Sequence, residues 1–294
     1  IALAQVRKYS AAARLFAIPT AMLPVAVAFS VTDRPALWHW DRLLAALFGV
    51  GLFSAAGNLF NDYFDYVQSV DRRTDADAGR PGRMLLHGWI STREVLAEAV
   101  VVLGLAVLPM LYLTWQSGPA VIAFAAFAAL GLYSYTGPPL KLKYRALGEP
   151  LIFLLFGPVL MAAAGFLQTG GIEPRVLWIS LPIGLATTAV LFGNNIRDAE
   201  EDREAGIRTL AHVMGKTAGF VYVVLLLSAA AAPAVLAVVG NSPPGLLLSP
   251  LTLLLVRAPA AAAWRGRRMP DIDVHTARFS AVLSALILLA FLVR

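Results

Sequence analysis

The sequence predicts an all-α, polytopic membrane protein: nine transmembrane helices in one bundle, with loops capping the cytoplasmic end. Three observations carry this. Hydrophobic residues make up 59% of the chain and charged ones only 14%, with a mean hydropathy of +0.70, far more apolar than a soluble domain. The apolar residues fall into runs of roughly 20, the length at which a helix crosses a bilayer. Lys and Arg crowd into every second loop, as they do on the cytoplasmic side of membrane proteins.

Taken in order, the runs lie near 15–32, 43–66, 95–115, 119–135, 150–168, 176–196, 218–240, 245–263 and 277–293. The fourth is short, but Pro138-Pro139 gives it a definite stop. The eighth is interrupted by Arg257 and Pro259, where a kink or an end is expected. With the N-terminus on the cytoplasmic side, 20 of the 24 Lys and Arg residues share that side, and only Arg34, Arg42, Arg175 and Arg294 lie opposite. No Gly/Ser-rich or Pro-rich linker divides the chain, so residues 1–294 read as a single domain. The first residue is Ile1, which places the natural start upstream, and no cleavable signal pattern follows it.

Composition also excludes. The chain has no Cys, so disulfides and thiolate metal sites are ruled out. The net charge of +6 would suit nucleic acid, but the basic residues are scattered among short loops. Anionic lipid headgroups are the partner that fits them, and no nucleic acid is expected.

Two acid-rich stretches end apolar runs, GNLFNDYFDY from Gly57 and GNNIRDAEEDREAG from Gly193. On a helix, Asn58, Asp62 and Asp65 share a face, as do Asn194, Asp198 and Asp202. Carboxylates stacked a turn apart repel one another, and more so next to lipid, so each stripe calls for a cation. Oxygen-only ligands suit a hard ion, Mg²⁺ before Ca²⁺ or Mn²⁺. Since Mg²⁺ keeps water and phosphate oxygens in its shell, two facing stripes describe a diphosphate clamp. The competing reading is two solvated helix ends. Both stripes begin N-x-x-x-D, with matching letters 136 residues apart, which favours the clamp and hints at duplication of a four-helix unit.

The loop from Val70 to Ser91 interleaves Asp71, Asp75 and Asp77 with Arg72, Arg73, Arg80 and Arg83. Guanidinium groups grip phosphate oxygens two at a time, although a basic cytoplasmic loop needs no ligand to explain it. The loop after the fourth run carries Lys141, Lys143 and Arg145 beside Tyr133, Tyr135 and Tyr144. Two readings stand side by side here: contacts to a leaving diphosphate, or anchors at the headgroup level. Glu200, Glu201 and Glu204 lie off the second acidic face and are expected to be solvated or paired with Arg197 and Arg203. His87 and His212 read as structural. The cluster Arg265, Arg267, Arg268, Asp271 and Asp273 has no ligand spacing and is expected to face lipid heads.

These blocks resemble the UbiA superfamily of intramembrane prenyltransferases, with an Asn/Asp-rich motif on the second helix and D-x-x-x-D on the sixth. NDYFDY, YTGPPLKLKYRALGE, FGP at Phe156 to Pro158, LQTGG at Leu167 to Gly171 and NNIRDAEEDREAGIRTLA are most similar to the 1,4-dihydroxy-2-naphthoate polyprenyltransferases of menaquinone biosynthesis. The resemblance implies a transferase that moves a polyprenyl group from an allylic diphosphate to this aromatic acceptor, with decarboxylation. It implies that Asn58, Asp62, Asp65, Asp198 and Asp202 bind Mg²⁺ and the diphosphate, with Asn194 and Tyr135 at the substrate. Arg80, Arg83, Lys141 and Lys143 would steady the leaving group. The commoner superfamily spacing would need Asp at position 66, which is Tyr66, so the third place in the first motif falls to Asp65 or Asp71. Other readings keep the clamp with another acceptor (4-hydroxybenzoate, homogentisate or a glycerol phosphate) or a terpene cyclisation. An ion or lipid transporter is the non-enzyme alternative.

Overall fold

The computed structural model describes residues 18–32, 37–67, 85, 88–204, 206–240 and 242–293. Among them there is no β-strand, and the helices run α1 Ile18–Thr32, α2 Trp40–Val67, α3 Thr92–Ser117, α4 Ala120–Thr136, α5 Gly148–Thr169, α6 Pro174–Arg197, α7 Leu210–Val239, α8 Pro244–Trp264 and α9 Ile272–Leu292. Seven of these, α2, α3 and α5 to α9, are long and apolar enough to cross a membrane. α1 and α4 are apolar but shorter. The chain is therefore an integral membrane protein. Asp71, Arg80, Arg83 and His87 lie outside the described residues.

Local chemistry sets several helix ends. At the start of α3, Ser91 Oγ accepts from the Glu94 N–H at 3.2 Å, while the Ser91 N–H donates to Glu94 Oε2 at 2.7 Å. This reciprocal pair satisfies two of the donors that a helix start leaves open. α5 ends at Gly170 with φ +74, a left-handed conformation that glycine adopts without a steric cost. α8 is a 3₁₀-helix from Pro244 to Val256 and becomes α-helical at Arg257, so the interruption read at Arg257 and Pro259 is a change of helix type.

α6 is the centre of the bundle, packed against α1, α5, α7 and α9, and Ile183, Ala186, Ala189 and Phe192 on it are fully buried. α5 and α6 cross at Gly157 and Gly184: a methyl group added at Gly157 would come within 3.0 Å of the Gly184 Cα and the Ser180 carbonyl. Close backbone approach through small residues replaces the hydrophobic drive that lipid does not supply. Gly157 belongs to a π-helical turn, Leu155–Val159, that includes Pro158. The wider turn accommodates the missing N–H of proline, and such turns gather at functional sites.

α2 and α3 make the most extensive helix pair, and a polar network ties the far end of α2 to α3 and α5. Tyr112 donates to Asp41 Oδ2 at 2.6 Å, Arg42 donates to the Leu167 carbonyl at 2.9 Å, and Gln168 bonds the backbone of His39 and Leu37 at 3.0 and 2.9 Å. With this end fixed, the opposite end of α2 is held over α6.

Candidate active site

α2 and α6 both finish in acids. Asp65 is in the last turn of α2 and Asp198 caps α6, so each carboxylate faces the negative end of its own helix dipole, which raises its demand for a cation. The backbone continues turning past α6: the Asp198 N–H bonds the Asn194 carbonyl and the Asp202 N–H bonds the Asp198 carbonyl, both at 2.9 Å. Asn194, Asp198 and Asp202 therefore stand one above another, as their spacing predicts.

A cavity of about 1060 Å³ brings the two ends together. Its polar end is lined by Asn58, Asn61 and Asp65 from α2, by Asn194, Asn195, Arg197, Asp198 and Asp202 from α6 and the short helix after it, by Tyr135 and Lys143, and by Asp271 and Asp273 at the start of α9. The remainder is apolar, extending along α2 as far as Ala46 and past Met110 and Leu113 on α3, Ala125 and Ala129 on α4, and Phe156 and Leu160 on α5. From Ala46 to Asp65 the helical rise gives a length of about 28 Å, close to the thickness of a bilayer core.

Of the residues singled out from sequence, Asn58, Asp65, Tyr135, Lys143, Asn194, Asp198 and Asp202 line this cavity. Asp62 is 6% exposed and is not among the lining residues, and neither is Lys141. Lys141 instead adopts φ +47, as Ala146 adopts φ +58, on either side of the turn Leu142–Tyr144. Those two left-handed residues, costly for side chains other than glycine, turn Lys143 and Tyr144 toward α2. Lys143 Nζ donates to Asp65 Oδ2 at 2.7 Å, and the Tyr144 hydroxyl donates to Asp65 Oδ1. Burial works against the charge on Lys143, but Asp65, with Tyr135 and Tyr144, outweighs it and lifts the lysine above its ordinary range. Burial and Asp65 together push the Tyr144 phenol up as well. The backbone of Arg145 pairs with that of Arg208, joining this loop to the one after α6.

The second motif has its own cation. Arg197 Nε and Nη2 donate to the two oxygens of Asp198 at 2.7 Å each, and Nη1 meets Asp273 Oδ2 at 2.6 Å. Glu200 pairs with Arg203 at the surface, as expected, but Arg197 turns inward. Asp271 and Asp273, expected at lipid heads, face the cavity instead, because α9 packs on α6 and the Arg197 guanidinium draws Asp273 in. His212 Nδ1 lies 3.2 Å from Thr209 Oγ1, in keeping with its structural reading.

Sequence reasoning missed Asn61, Asn195, Asp271 and Asp273. A signal existed for Asn61: Asn61-x-x-x-Asp65 has the same spacing as Asn194-x-x-x-Asp198. Asn195 Nδ2 donates to Glu149 Oε1 at 2.7 Å, and this glutamate, at the head of α5, is 2% exposed.

Among the described residues, no three carboxylates or imidazoles converge as a ready metal cage. The structure shows why: Asp65 is held by Lys143 and Tyr144, and Asp198 by Arg197. Yet Asn61 Oδ1, Asn194 Oδ1 and Asp273 Oδ1 are buried without hydrogen-bond partners, all on the wall of one cavity. Buried acceptors of this kind are costly unless something donates to or coordinates them. Hard oxygen donors in an acidic pocket fit Mg²⁺.

An all-helical membrane bundle with a chamber polar at one end and apolar along the rest defines an intramembrane protein built to hold an amphipathic molecule. The chain belongs to the UbiA prenyltransferase family, which it matches over residues 21–292, a family of transferases that move prenyl groups. It is 36% identical over 199 residues to the 1,4-dihydroxy-2-naphthoate octaprenyltransferase of Bacillus subtilis, covering 67% of this chain and 61% of that one. It is 31% identical over 232 residues to the UbiA prenyltransferase domain-containing protein 1 homolog of Drosophila melanogaster, covering 76% and 62%. The chain thus spans a little over three fifths of these two relatives. A UbiA homolog from Archaeoglobus fulgidus, solved with GPP and Mg²⁺, has the same fold, with a TM-score of 0.70 at 20% identity over 98% of this chain and 100% of that one.

Proposed function

We propose that this protein transfers a polyprenyl group from an allylic diphosphate to 1,4-dihydroxy-2-naphthoate, releasing diphosphate and CO₂, in menaquinone biosynthesis. One observation carries the reading: a single cavity joins an Asn/Asp end, built from α2 and α6, to an apolar length matched to a bilayer. The naphthoate follows from likeness to the Bacillus subtilis enzyme.

Asn58, Asn61 and Asp65 with Asn194, Asp198 and Asp202 would hold Mg²⁺, and Asp62 would stiffen α2 behind them. When bound, Mg²⁺ supplies charge neutralisation to the diphosphate as the allylic C–O bond breaks. Lys143 and Arg197 leave their carboxylates to take phosphate oxygens, and Arg80, Arg83 and Lys141 add positive charge from the adjoining loops. These contacts strengthen as negative charge builds on the leaving group, so they favour the transition state over the bound substrate. Phe156, Leu155 and Val159, on the π-turn, wall the reacting carbon from water that would quench an allylic cation. Tyr135, at the boundary of polar and apolar zones, orients the aromatic acceptor. Loss of the ring carboxylate as CO₂ spares the site a dedicated strong base.

Val107, Ile122, Ala126 and Ala129 line the cavity and are also exposed. A gap between α3 and α4 therefore gives the polyprenyl tail a way into lipid. In the membrane we place nine spans in one domain, α1 and α4 included, with the N-terminus and the polar end of the cavity cytoplasmic, in a bacterial-type cytoplasmic membrane. The charge distribution supports that orientation.

The test is a product mass. The purified protein, given Mg²⁺, farnesyl diphosphate and 1,4-dihydroxy-2-naphthoate, should yield the prenylated, decarboxylated naphthol. No product with this acceptor, but product with 4-hydroxybenzoate, homogentisate or a glycerol phosphate, would move the protein to another branch of the family. Diphosphate release without any acceptor would point to cyclisation.

A further inference from the structure

Arg197 ends α6 one residue before Asp198, and its guanidinium is shared between two carboxylates. Its Nε and Nη2 cover both oxygens of Asp198, while Nη1 holds Asp273 Oδ2 from the first turn of α9. All three residues line the cavity, and the second oxygen of Asp273 is buried without a partner. We propose that Asp273 is a positioning residue for the divalent cation: it keeps Arg197 as its counter-charge when Asp198 turns from the guanidinium to metal. The inference rests on reading Asp198 as a metal-facing carboxylate.

A two-pronged arginine–carboxylate pair is among the stronger contacts in proteins, and while it is closed a cation must compete for Asp198. If Arg197 had no second carboxylate, opening the pair would leave a buried guanidinium unpaired, a costly state. Asp273 supplies that second carboxylate, so the exchange proceeds without exposing a bare charge to the apolar wall. Its own negative charge also adds to the attraction for a dication. Asp271, two residues earlier, cannot do this as it stands, because its Oδ2 faces His275 Nε2 at 3.4 Å. Removing the charge of Asp273 therefore weakens metal binding twice over: Arg197 closes harder on Asp198, and the pocket loses one negative charge.

The experiment is titration of the purified full chain with Mn²⁺ alone, following free Mn²⁺ by electron paramagnetic resonance. Asp273→Asn should bind Mn²⁺ about tenfold more weakly, and Asp273→Glu, which keeps the charge, should stay within about threefold of the parent. Arg197→Lys carries a second test, of opposite sign. A single ammonium cannot cover both oxygens of Asp198, so Mn²⁺ binding should tighten, a result that mere structural damage would not produce. Equal Mn²⁺ affinity in Asp273→Asn and the parent, or weaker binding in Arg197→Lys, would overturn the inference. If Asp273→Asn does not fold, Arg197→Lys decides alone. A parent chain that binds no Mn²⁺ would instead bring down the metal reading of Asp198 itself.

Discussion

Lys143 Nζ and Asp65 Oδ2 are 2.7 Å apart, joining a lysine from the turn after α4 to an aspartate at the end of α2. Both are largely buried, with side chains 15% and 8% exposed. Replacing Lys143 by Met strands the Asp65 carboxylate in the cavity wall and also takes a cation from the proposed leaving group. Breaking one partner of a buried pair costs about 3–5 kcal/mol, so the variant should melt several degrees lower and lose prenyl transfer by at least about 100-fold. Thermal unfolding and a prenyl-transfer assay check the two effects separately.

The same pair sets a pH expectation. Burial disfavours the Lys143 charge, but Asp65 outweighs it, and the folded lysine titrates above its ordinary 10.5. A raised lysine pKa contributes stability that is fully present below the unfolded value and is lost only as pH rises through the folded one. Between pH 7 and about 10, stability should therefore show no falling limb that Lys143→Met abolishes. Such a limb within that window would mean that the lysine titrates normally and the pair is not formed.

Asp62 and Asp65 are separable. Asp65 faces the cavity, while Asp62 is buried outside its lining. Asp65→Asn should cut Mg²⁺-dependent transfer by about 100-fold or more, in the range seen when a charge-stabilising group is removed. Asp62→Asn should cost less in turnover than in thermal stability. Chelation with EDTA should silence the parent chain, and Mg²⁺ should restore it. Equal loss of turnover in the two variants at equal stability would return Asp62 to the ligand set.

The apolar skeleton was legible because a membrane span is written in consecutive residues: every apolar run read from the sequence contains a helix, with ends within a few residues, except that α7 begins earlier, at Leu210. The second acidic stripe was legible for the same reason, since Asn194, Asp198 and Asp202 sit on one continuous turn. The first was read in a register three residues early. Asn58-x-x-x-Asp62 and Asn61-x-x-x-Asp65 share one spacing, and only packing against α4, with Lys143 reaching in, shows which faces inward. Asp273 was not legible at all: its role depends on α9 packing beside α6, and nothing in the spacing of Met269 to His275 encodes that contact.

Glu149 and Asn195 offer a test of the polar wall that involves no substrate. Asn195 Nδ2 donates to Glu149 Oε1 at 2.7 Å, and both side chains are buried. Glu149→Gln keeps an acceptor oxygen and should stay close to the parent in stability. Glu149→Leu leaves the amide without its acceptor, at a cost of about 1–3 kcal/mol, and should let Asn195 and its neighbour Asn194 drift. Thermal unfolding of the two variants in one detergent is the measurement, and equal melting temperatures would show that this bond holds nothing in place.

The gap between α3 and α4 predicts how the chain discriminates among prenyl donors. Ala126 and Ala129 sit where the cavity meets the outer surface, so an indole at position 129 would fill the gap without reaching Asp65 or Asp198. A short donor such as dimethylallyl diphosphate fits inside the chamber and should be turned over by Ala129→Trp much as by the parent. A long donor must thread the gap, and its kcat/KM relative to the short one should fall by about tenfold, equivalent to ~1.4 kcal/mol of lost transition-state binding. Competition between the two donors in one reaction, read as the ratio of products, measures this directly, because any general damage to the enzyme cancels. An unchanged ratio would place the exit between a different pair of helices.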